Sequence, residues 1–337
     1  MSVVLVVGLG GTIAMTAAAG GGATPALSPA DLLAAVPWPA ADDVTVQAVD
    51  FRNLPGASLS FDDVTAAGAL IADRLAAGVD GVVVVQGTDT IEETAYLLDL
   101  RHAGPQPVVV TGAMRNPSLA GADGPANLLA AVQTAASPAT RDLGCLVVLA
   151  DEIHAARRVR KTHTTAGSTF QSPDGGPLGY LVEGRPRLVS LLPRRTVLPP
   201  AASDRRPRVA LLTLTLGDDG VLLAGLAERV DGVVVAGFGA GHAPRDLVPA
   251  LQDLARRMPV VLASRTGSGS VLAGMYGFPG SERDLLGRGL ISAGFLDPVK
   301  ARILLWAALA AGAGRDQVEA AFAAAGGAEP DRWPWNR

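Results

Sequence analysis

The chain has 337 residues, of which 49% are hydrophobic, and its 28 basic and 32 acidic residues leave a formal net charge of −4. A chain of this length predicts about two domains and can bury substantial cores. The balanced charge excludes the basic footprint of a nucleic-acid-binding protein, which needs clustered lysines and arginines.

The single cysteine and the first residues bear on the compartment. Cys145 lies in the apolar run GCLVVLA, so no intrachain disulfide can form, and a buried structural thiol is favoured over a nucleophile. The chain opens with SVVLVVGLGG and lacks a basic segment and an Ala-x-Ala cleavage site. We therefore expect a cytoplasmic protein, unless a leader has been removed. No apolar run in the sequence has the length that spans a bilayer.

The first predicted strand, residues 2–7, runs into the glycine-rich turn GLGGTIA at 8–14. A dinucleotide fingerprint needs a third glycine where Ile13 stands, so a nucleotide-binding protein is disfavoured. The glycines instead permit close backbone approach around the hydroxyl of Thr12. Residues 16–28 are small and glycine-rich, which predicts either a mobile flap over Thr12 or a disordered spacer.

A helix capped by Ser28, a strand, a polar loop and a second helix follow. Their predicted ranges are 29–36 for the first helix, 44–49 for the strand, 53–60 for the loop and 62–77 for the second helix.

The stretch VVVVQGTDTIEETAY, residues 82–96, predicts a buried strand that breaks at Gly87 and continues as a helix. Residues 88–90, Thr-Asp-Thr, therefore occupy a strand-to-helix turn. Ligands of open α/β sheets bind at such turns, so a chemical site is one interpretation. The other is a plain helix cap, completed by Glu92 or Glu93 as a capping box.

The rest of the first half continues the alternation of strands and helices. Predicted strands cover 107–110 and 143–149, a helix opens at 123–127, and a polar run, RRVRKTHTTAGSTF, covers 157–170. Such alternation predicts a parallel sheet covered on both faces. Thr12, Thr88 and Thr111 then lie at the same edge of one sheet.

The second half predicts a smaller α/β domain. Residues 185–208 are rich in proline and arginine, which indicates a linker between an N-terminal catalytic domain, 1–184, and a C-terminal domain, 209–337. The predicted elements are strands 209–215, 230–236 and 259–263, helices near 219–226 and at 246–256 and 298–310, and a glycine-rich segment at 266–280. The fold class is therefore α/β, with a larger, mostly parallel N-terminal sheet domain that has helices on both faces.

Hydroxyls and charges recur at the predicted turns. They are Thr12, Ser58, Thr88 with Asp89, and Lys161. Each alone has an ordinary explanation as a cap or a solvated side chain, but their joint placement at one sheet edge favours a site. A threonine hydroxyl needs a base to become a nucleophile, and a desolvated lysine can be that base. The four histidines are scattered without metal-ligand spacing, so no metal is expected.

These residues resemble the bacterial-type L-asparaginase family. The matching motifs are GGTIA at 10–14, QGTDTIEETAY at 86–96, TGAMR at 111–115, DGPANL at 123–128, KTHTT at 161–165, TFQSPDGGPLGY at 169–180 and DPVKARILL at 297–305. The resemblance implies hydrolysis of L-asparagine to L-aspartate and ammonia without a cofactor. It also implies a homotetramer of tight dimers, in which the C-terminal domain completes the partner's site.

The resemblance also assigns roles to single residues. Thr12 corresponds to the primary nucleophile, which forms an acyl-enzyme ester that water then cleaves. Thr88, Asp89 and Lys161 correspond to a second catalytic trio, in which the lysine accepts a proton and the aspartate binds the substrate's α-amino group. Which of the two threonines forms the covalent bond is left open. Turn amides could supply an oxyanion hole.

Two further residues correspond to substrate-binding positions of the family. Ser58 falls where the substrate α-carboxylate is bound. Glu282, found by counting back from DPVKAR, corresponds to the carboxylate that reaches across the dimer to the substrate amine.

The sequence departs from the family pattern at several positions. The flap contains no tyrosine, since the first tyrosine of the chain is Tyr96. Leu59 stands where a glutamine often follows the serine, His242 where an asparagine is common, and Gln86 where a histidine often precedes GTDT.

Tyr276 is one candidate for the missing phenol. We hypothesise that it enters the neighbouring site from the glycine-rich segment, and the alternative is that it only packs beside Phe278.

Two other functions stay open. The same chemistry could act on another amide, such as L-glutamine or a D-amino acid amide. The chain could also be a non-catalytic amino-acid-binding homologue.

Overall fold

The structure is a computed structural model that describes residues 2–11, 15–17, 23–25, 28–38, 43–192, 195–202 and 206–335. The chain forms two compact units, Met1–Arg195 and Thr196–Arg337.

The first unit is built on an eight-stranded sheet with two small antiparallel pairs beside it. Its strands are β1 (Ser2–Gly8), β2 (Met15–Ala17), β3 (Ala23–Pro25), β4 (Val44–Asp50), β5 (Gly81–Val85), β6 (Val108–Thr111), β7 (Cys145–Leu149), β8 (Glu152–Ala155), β9 (Arg160–Lys161), β10 (Phe170–Gln171), β11 (Gly179–Val182) and β12 (Arg185–Leu188). Its helices are α1 (Pro29–Ala34), α2 (Phe61–Ala76), α3 (Ile91–Arg101) and α4 (Gly124–Ala136).

The large sheet has the order β12-β11-β8-β7-β6-β5-β1-β4. The strands from β4 to β7 in this order run parallel, and β8, β11 and β12 join antiparallel. Strand β5 is buried along its whole length because helices cover both faces of the sheet. The side chains of Val83 and Val85 pack with those of α4 in one core cluster. The predicted α/β fold class is confirmed.

Strand register brings three turns to one edge of this sheet. Gly8, the last residue of β1, pairs with Val85, the last residue of β5, and Val85 pairs with Thr111, the last residue of β6. The segments after these strands therefore leave the sheet side by side, as the sequence predicts for the carboxyl ends of parallel strands.

Helix starts differ along the chain. Ser28 caps α1 and Ser60 caps α2, each in a complete capping box, because Asp31 and Asp63 bond back to them. Thr90 precedes α3 but makes no side-chain capping bond. Thr90 thus holds the N-cap position, as that interpretation has it, but the capping box expected with Glu92 or Glu93 is not formed.

Part of the glycine-rich N-terminal segment is described. Strands β2 and β3 pair antiparallel, with Thr16 opposite Thr24. Residues 18–22 and 26–27, which belong to the predicted flap, lie outside the described residues, as does Thr12.

The second unit contains a four-stranded parallel sheet of order β13-β14-β15-β16. Its strands are β13 (Val209–Thr213), β14 (Gly232–Gly237), β15 (Val260–Ser264) and β16 (Ile291–Ser292), and its helices are α5 (Val248–Arg257), α6 (Glu282–Gly287), α7 (Pro298–Ala310) and α8 (Arg315–Ala325). The sequence did not indicate β16, α6 or α8.

The helix predicted near 219–226 is wrong. This stretch contains the short 3-10 helix Val221–Leu223, and a second one, Leu226–Glu228, follows. Gly220 and Gly225 precede them with φ angles of 77° and 64°. Left-handed residues interrupt an α-helix, so the segment turns twice instead.

The chain divides into the two units between Arg195 and Thr196, inside the stretch 185–208 that the sequence predicts as a linker. Residues 185–188 are not a connector in the structure, because they form the edge strand β12 against β11. Pro186 is compatible with this position because an edge strand has one unpaired side, where a missing N–H breaks no ladder bond.

Cys145 lies in the core of the first unit, with 1% of its surface exposed. Burial, together with the nearby Asp99 carboxylate, raises the pKa of its thiol well above the usual range. The thiol therefore stays protonated, as expected for a structural cysteine.

None of the described helices is both long and apolar enough to cross a membrane.

Candidate active site

The turns after β1 and β5 pack closely through two glycines. A Cβ atom on Gly11 would lie 1.9 Å from the backbone nitrogen of Gly87. Gly11 has a φ of 94°, in the left-handed region that favours glycine. Only glycine fits there, so the residue before Thr12 lies against the residue before Thr88.

A third turn joins this contact. A Cβ atom on Gly56 would lie 2.8 Å from the carbonyl oxygen of Gly87. Gly56 begins the short 3-10 helix that ends at Ser58, and this helix contacts the 3-10 helix Thr88–Thr90. The loop that carries Ser58 is thereby held beside Asp89.

The turn after β6 packs against the turn after β5. A Cβ atom on Gly112 would lie 2.5 Å from the carbonyl oxygen of Gln86 and 3.3 Å from the Cγ2 atom of Thr88. The Thr111 hydroxyl does not face a ligand, because it donates to the carbonyl oxygen of Val148 over 2.7 Å and is fully buried.

Lys161 reaches this edge of the sheet from a hairpin. Its Nζ atom donates to Thr88 Oγ1 and to Asp89 Oδ1, each at 2.9 Å. The side chain of Lys161 is 17% exposed, whereas that of Asp89 is 64% exposed. Asp89 can therefore neutralise the lysine with one oxygen and offer the rest of its carboxylate to a cationic ligand.

The hairpin itself is held by hydrogen bonds at both ends. Lys161 pairs with the buried Phe170, and the Thr162 backbone N–H donates to the Thr169 carbonyl oxygen over 2.8 Å. Beyond β10, Ser172 Oγ lies 3.0 Å from Nδ1 of His154, which belongs to the main sheet. These contacts fix the strand that presents the amine.

Ser58 is exposed at the end of its short helix. Its backbone N–H donates to the Pro55 carbonyl oxygen over 2.9 Å, and this hydrogen bond stabilises the turn.

Glu282 lies in the second unit, at the first position of α6, and has no exposed surface. Its Oε1 atom accepts hydrogen bonds from the backbone N–H groups of Met275 at 2.9 Å and Tyr276 at 2.8 Å. Its Oε2 atom lies 3.2 Å from His242 Nε2. Burial acts to raise the pKa of Glu282, but the backbone and His242 hydrogen bonds outweigh it, so this pKa lies below its usual value.

Aromatic rings pack against His242, which contacts this carboxylate. The Tyr276 and Phe278 rings meet the His242 ring edge-on, with centroids 5.0 Å and 5.1 Å away. Tyr276 is 44% exposed and its ring centroid lies 6.1 Å from that of Phe278. Its entry into a neighbouring site stays a prediction.

The sequence did not single out the polar contacts of Gln86 and Thr90. Gln86 Nε2 donates to Thr90 Oγ1 over 3.1 Å, and Thr90 Oγ1 donates to the Gly56 carbonyl oxygen over 2.9 Å. The sequence contains no signal for these contacts, because the Thr90 hydroxyl is equally well explained there as a helix cap.

A hydroxyl, an amine and a carboxylate thus lie together at one edge of a parallel sheet. Among the described residues, no three His, Cys, Asp or Glu side chains are grouped to hold a metal ion. A proton can pass directly between Thr88 Oγ1 and Lys161 Nζ, since they are at hydrogen-bond distance. The fold and this site define an α/β protein in which a hydroxyl, an amine and a carboxylate lie together beyond the carboxyl ends of parallel strands.

Comparisons with known proteins identify the family. Residues 3–192 match the asparaginase N-terminal domain, and residues 208–322 match the glutaminase/asparaginase C-terminal domain. The chain belongs to the asparaginase family.

Relatives and a solved structure agree over most of the chain. The "Probable L-asparaginase" of Deinococcus radiodurans is 39% identical over 319 residues, covering 93% of this chain and 94% of that protein. "L-asparaginase 2" of Escherichia coli is 35% identical over 249 residues, 72% of this chain and 70% of that protein. The crystal structure of a "Probable Cytoplasmic L-asparaginase" from Campylobacter jejuni superposes with a TM-score of 0.85 at 33% identity, covering 96% and 99% of the two chains.

Proposed function

We propose that this protein hydrolyses L-asparagine to L-aspartate and ammonia through a threonine acyl-enzyme. The observation that carries the proposal is the placement of Lys161 Nζ at 2.9 Å from both Thr88 Oγ1 and Asp89 Oδ1. This is the arrangement that an amine base needs to take a proton from a hydroxyl while a carboxylate orients it. The names of the relatives, which are L-asparaginases, support hydrolysis of L-asparagine.

The first half-reaction forms the ester. Thr12 Oγ attacks the side-chain carboxamide carbon, its proton leaves with the amide nitrogen, and the C–N bond breaks to release ammonia. The contact between Gly11 and Gly87 supports this role, because it brings the residue before Thr12 to the turn that bears Thr88.

The second half-reaction cleaves the ester. Water adds to the acyl carbon, and Thr88 passes the water's proton to Lys161 Nζ. The C–O bond then breaks, which frees L-aspartate, and the proton held by Lys161 passes through Thr88 to Thr12 Oγ. Asp89 binds the substrate's α-amino group and keeps Lys161 in place, and Ser58 binds the α-carboxylate.

We further infer that the site is completed in a homo-oligomer, a dimer or tetramer, by the second unit of a partner. Glu282 of that unit would approach the substrate amine through Oε2, once the His242 ring has moved aside from it. The linker 185–208 and the domains 1–184 and 209–337 belong to this proposal. A cytoplasmic location is proposed by likeness to the Campylobacter jejuni protein.

Ammonia release from a panel of amides tests the function. Purified protein should release ammonia fastest from L-asparagine, and Thr12→Ala and Thr88→Val should each abolish release. Tight binding of aspartate without any release, unchanged by Thr12→Ala, would instead identify a non-catalytic amino-acid-binding protein.

L-Glutamine is the second candidate substrate. The match of residues 208–322 to a glutaminase/asparaginase domain favours keeping it in the panel, together with D-amino acid amides. A higher kcat/KM for L-glutamine than for L-asparagine would replace the leading proposal.

A further inference from the structure

The Thr90 side chain joins two turns that are far apart in sequence. Its hydroxyl donates to the Gly56 carbonyl oxygen over 2.9 Å and accepts from Gln86 Nε2 over 3.1 Å. It makes no capping bond to α3. The hydroxyl is thus committed to a lateral contact between turns.

The direction of these bonds follows from chemistry. Gln86 also contacts the carbonyl oxygen of Gly87 at 3.2 Å, and a carbonyl only accepts, so the amide NH2 group must face this side. The Thr90 hydroxyl then accepts from the amide and has one proton left, which goes to Gly56. We call the chain Gln86 to Thr90 to Gly56 the turn latch.

The turn latch lies where the two turns are tightly packed. Gln86 is fully buried, and the Gly56 and Gly87 backbones are too close for a side chain on either residue. Gly56 begins the short helix that ends at Ser58, and Thr90 directly follows Asp89. The latch therefore fixes the separation between the Ser58 turn and the Asp89 turn.

We propose that Thr90, supported by Gln86, is a positioning residue that makes the site selective for the shorter of two amide substrates. This rests on the proposed function, in which Ser58 and Asp89 hold the carboxylate and amine of the amino acid. When the α-carboxylate and α-amino group of the substrate are fixed, only one length of substrate side chain brings the carboxamide carbon to the threonine hydroxyls. L-Glutamine is longer than L-asparagine by one methylene, which a fixed site discriminates by about tenfold or more.

The test compares Thr90→Val with Thr90→Ser. Valine keeps the shape but removes the hydroxyl, whereas serine keeps the hydroxyl. We expect Thr90→Val to lower the ratio of kcat/KM for L-asparagine to that for L-glutamine about tenfold, because the head-group anchors separate. Thr90→Ser should keep the wild-type ratio.

Thr134→Val is the matched control. Like the Thr90 hydroxyl, the Thr134 hydroxyl donates to a backbone carbonyl, that of Ala130, over 2.8 Å, but Thr134 is fully buried and lies within α4, away from the two turns. Its loss should lower Tm without changing the substrate ratio. If Thr90→Val does not fold, Gln86→Met removes the other half of the turn latch, and a smaller fall in the same ratio is expected.

The outcomes separate the two proposals. A wild-type protein that releases no ammonia from either amide would overturn the proposed function itself. An active wild type, with a substrate ratio unchanged in Thr90→Val and Gln86→Met, would overturn the turn latch alone and leave Thr90 a structural residue.

Discussion

Lys161 Nζ donates to Thr88 Oγ1 across 2.9 Å, although 73 positions separate the two residues in the chain. Thr88 is held by the turn after a fully buried strand, and Lys161 by a short hairpin. Two independently supported elements thus deliver a hydroxyl and an amine to one point. This convergence makes the pair directly testable.

Lys161→Met should lower kcat/KM for L-asparagine about 100-fold to 10,000-fold, because the proton acceptor is lost. Lys161→Arg should not restore activity, since a guanidinium keeps its charge and cannot accept a proton. Arg185→Met is the control, because Arg185 is an exposed cation on the edge strand β12 and should leave the rate unchanged. Activity in Lys161→Arg near that of wild type would show that only the positive charge matters.

Gly11→Ala should destabilise the first unit and abolish activity, because its Cβ would overlap the Gly87 nitrogen. Gly78→Ala separates steric overlap from backbone strain. Gly78 has a φ of 101°, similar to the 94° of Gly11, but a Cβ there would meet nothing within 4 Å. We expect Gly78→Ala to cost only about 1–2 kcal/mol of unfolding free energy and to keep the rate. Equal losses in both variants would mean that backbone strain, not turn contact, governs Gly11.

The corner at Thr88 could be predicted because its cause is local. Four consecutive valines form the buried strand, Gly87 ends it, and the helical pattern resumes at Ile91. The neighbouring turns could also be placed on one edge, since parallel strands impose that arrangement.

Other features depend on contacts that no local pattern contains. Thr90 bonds to Gly56 across 34 positions, so its role as a latch was not visible in the Thr-Asp-Thr turn alone. The wrong helix at 219–226 has a different cause, because a run of apolar residues concealed two glycines with positive φ. The buried setting of Glu282 depends on the backbone of the loop at 275–276, which sequence spacing does not determine.

His154→Gln should make stability less dependent on pH. Burial lowers the pKa of His154 from 6.5 to about 4, and the ring is 1% exposed. Between these values the unfolded chain binds a proton that the folded protein does not. The contribution of the neutral His154 ring to the free energy of unfolding is therefore fully present above pH 6.5. It is lost as the pH falls towards 4, by about 3 kcal/mol in total.

Thermal unfolding of wild type and His154→Gln at pH 7 and pH 5 measures this effect. The Tm of wild type should fall further on acidification than that of the variant. Glu152, whose Oε2 lies 3.1 Å from His154 Nε2, remains in both proteins, so its own titration occurs in both and the comparison tests His154. Burial raises the pKa of Glu152 above 4.5, so the folded protein binds that proton at a higher pH than the unfolded chain does, and this titration favours the folded state as the pH falls. Parallel Tm shifts in the two proteins would contradict the assignment.

Glu282→Gln distinguishes a substrate-binding carboxylate from one that only holds its own loop. The glutamine carbonyl oxygen can still accept from the Met275 and Tyr276 backbone N–H groups, so the loop should be retained. The negative charge is lost, however, and a substrate ammonium would lose a charge-assisted contact. We expect KM for L-asparagine to rise about tenfold, with kcat changed much less, because binding is weakened before the chemical step. Steady-state ammonia release gives both constants, and Asp284→Asn, which alters a neighbouring carboxylate of α6, is the control. A lower Tm with an unchanged KM would restrict Glu282 to holding the 275–276 loop.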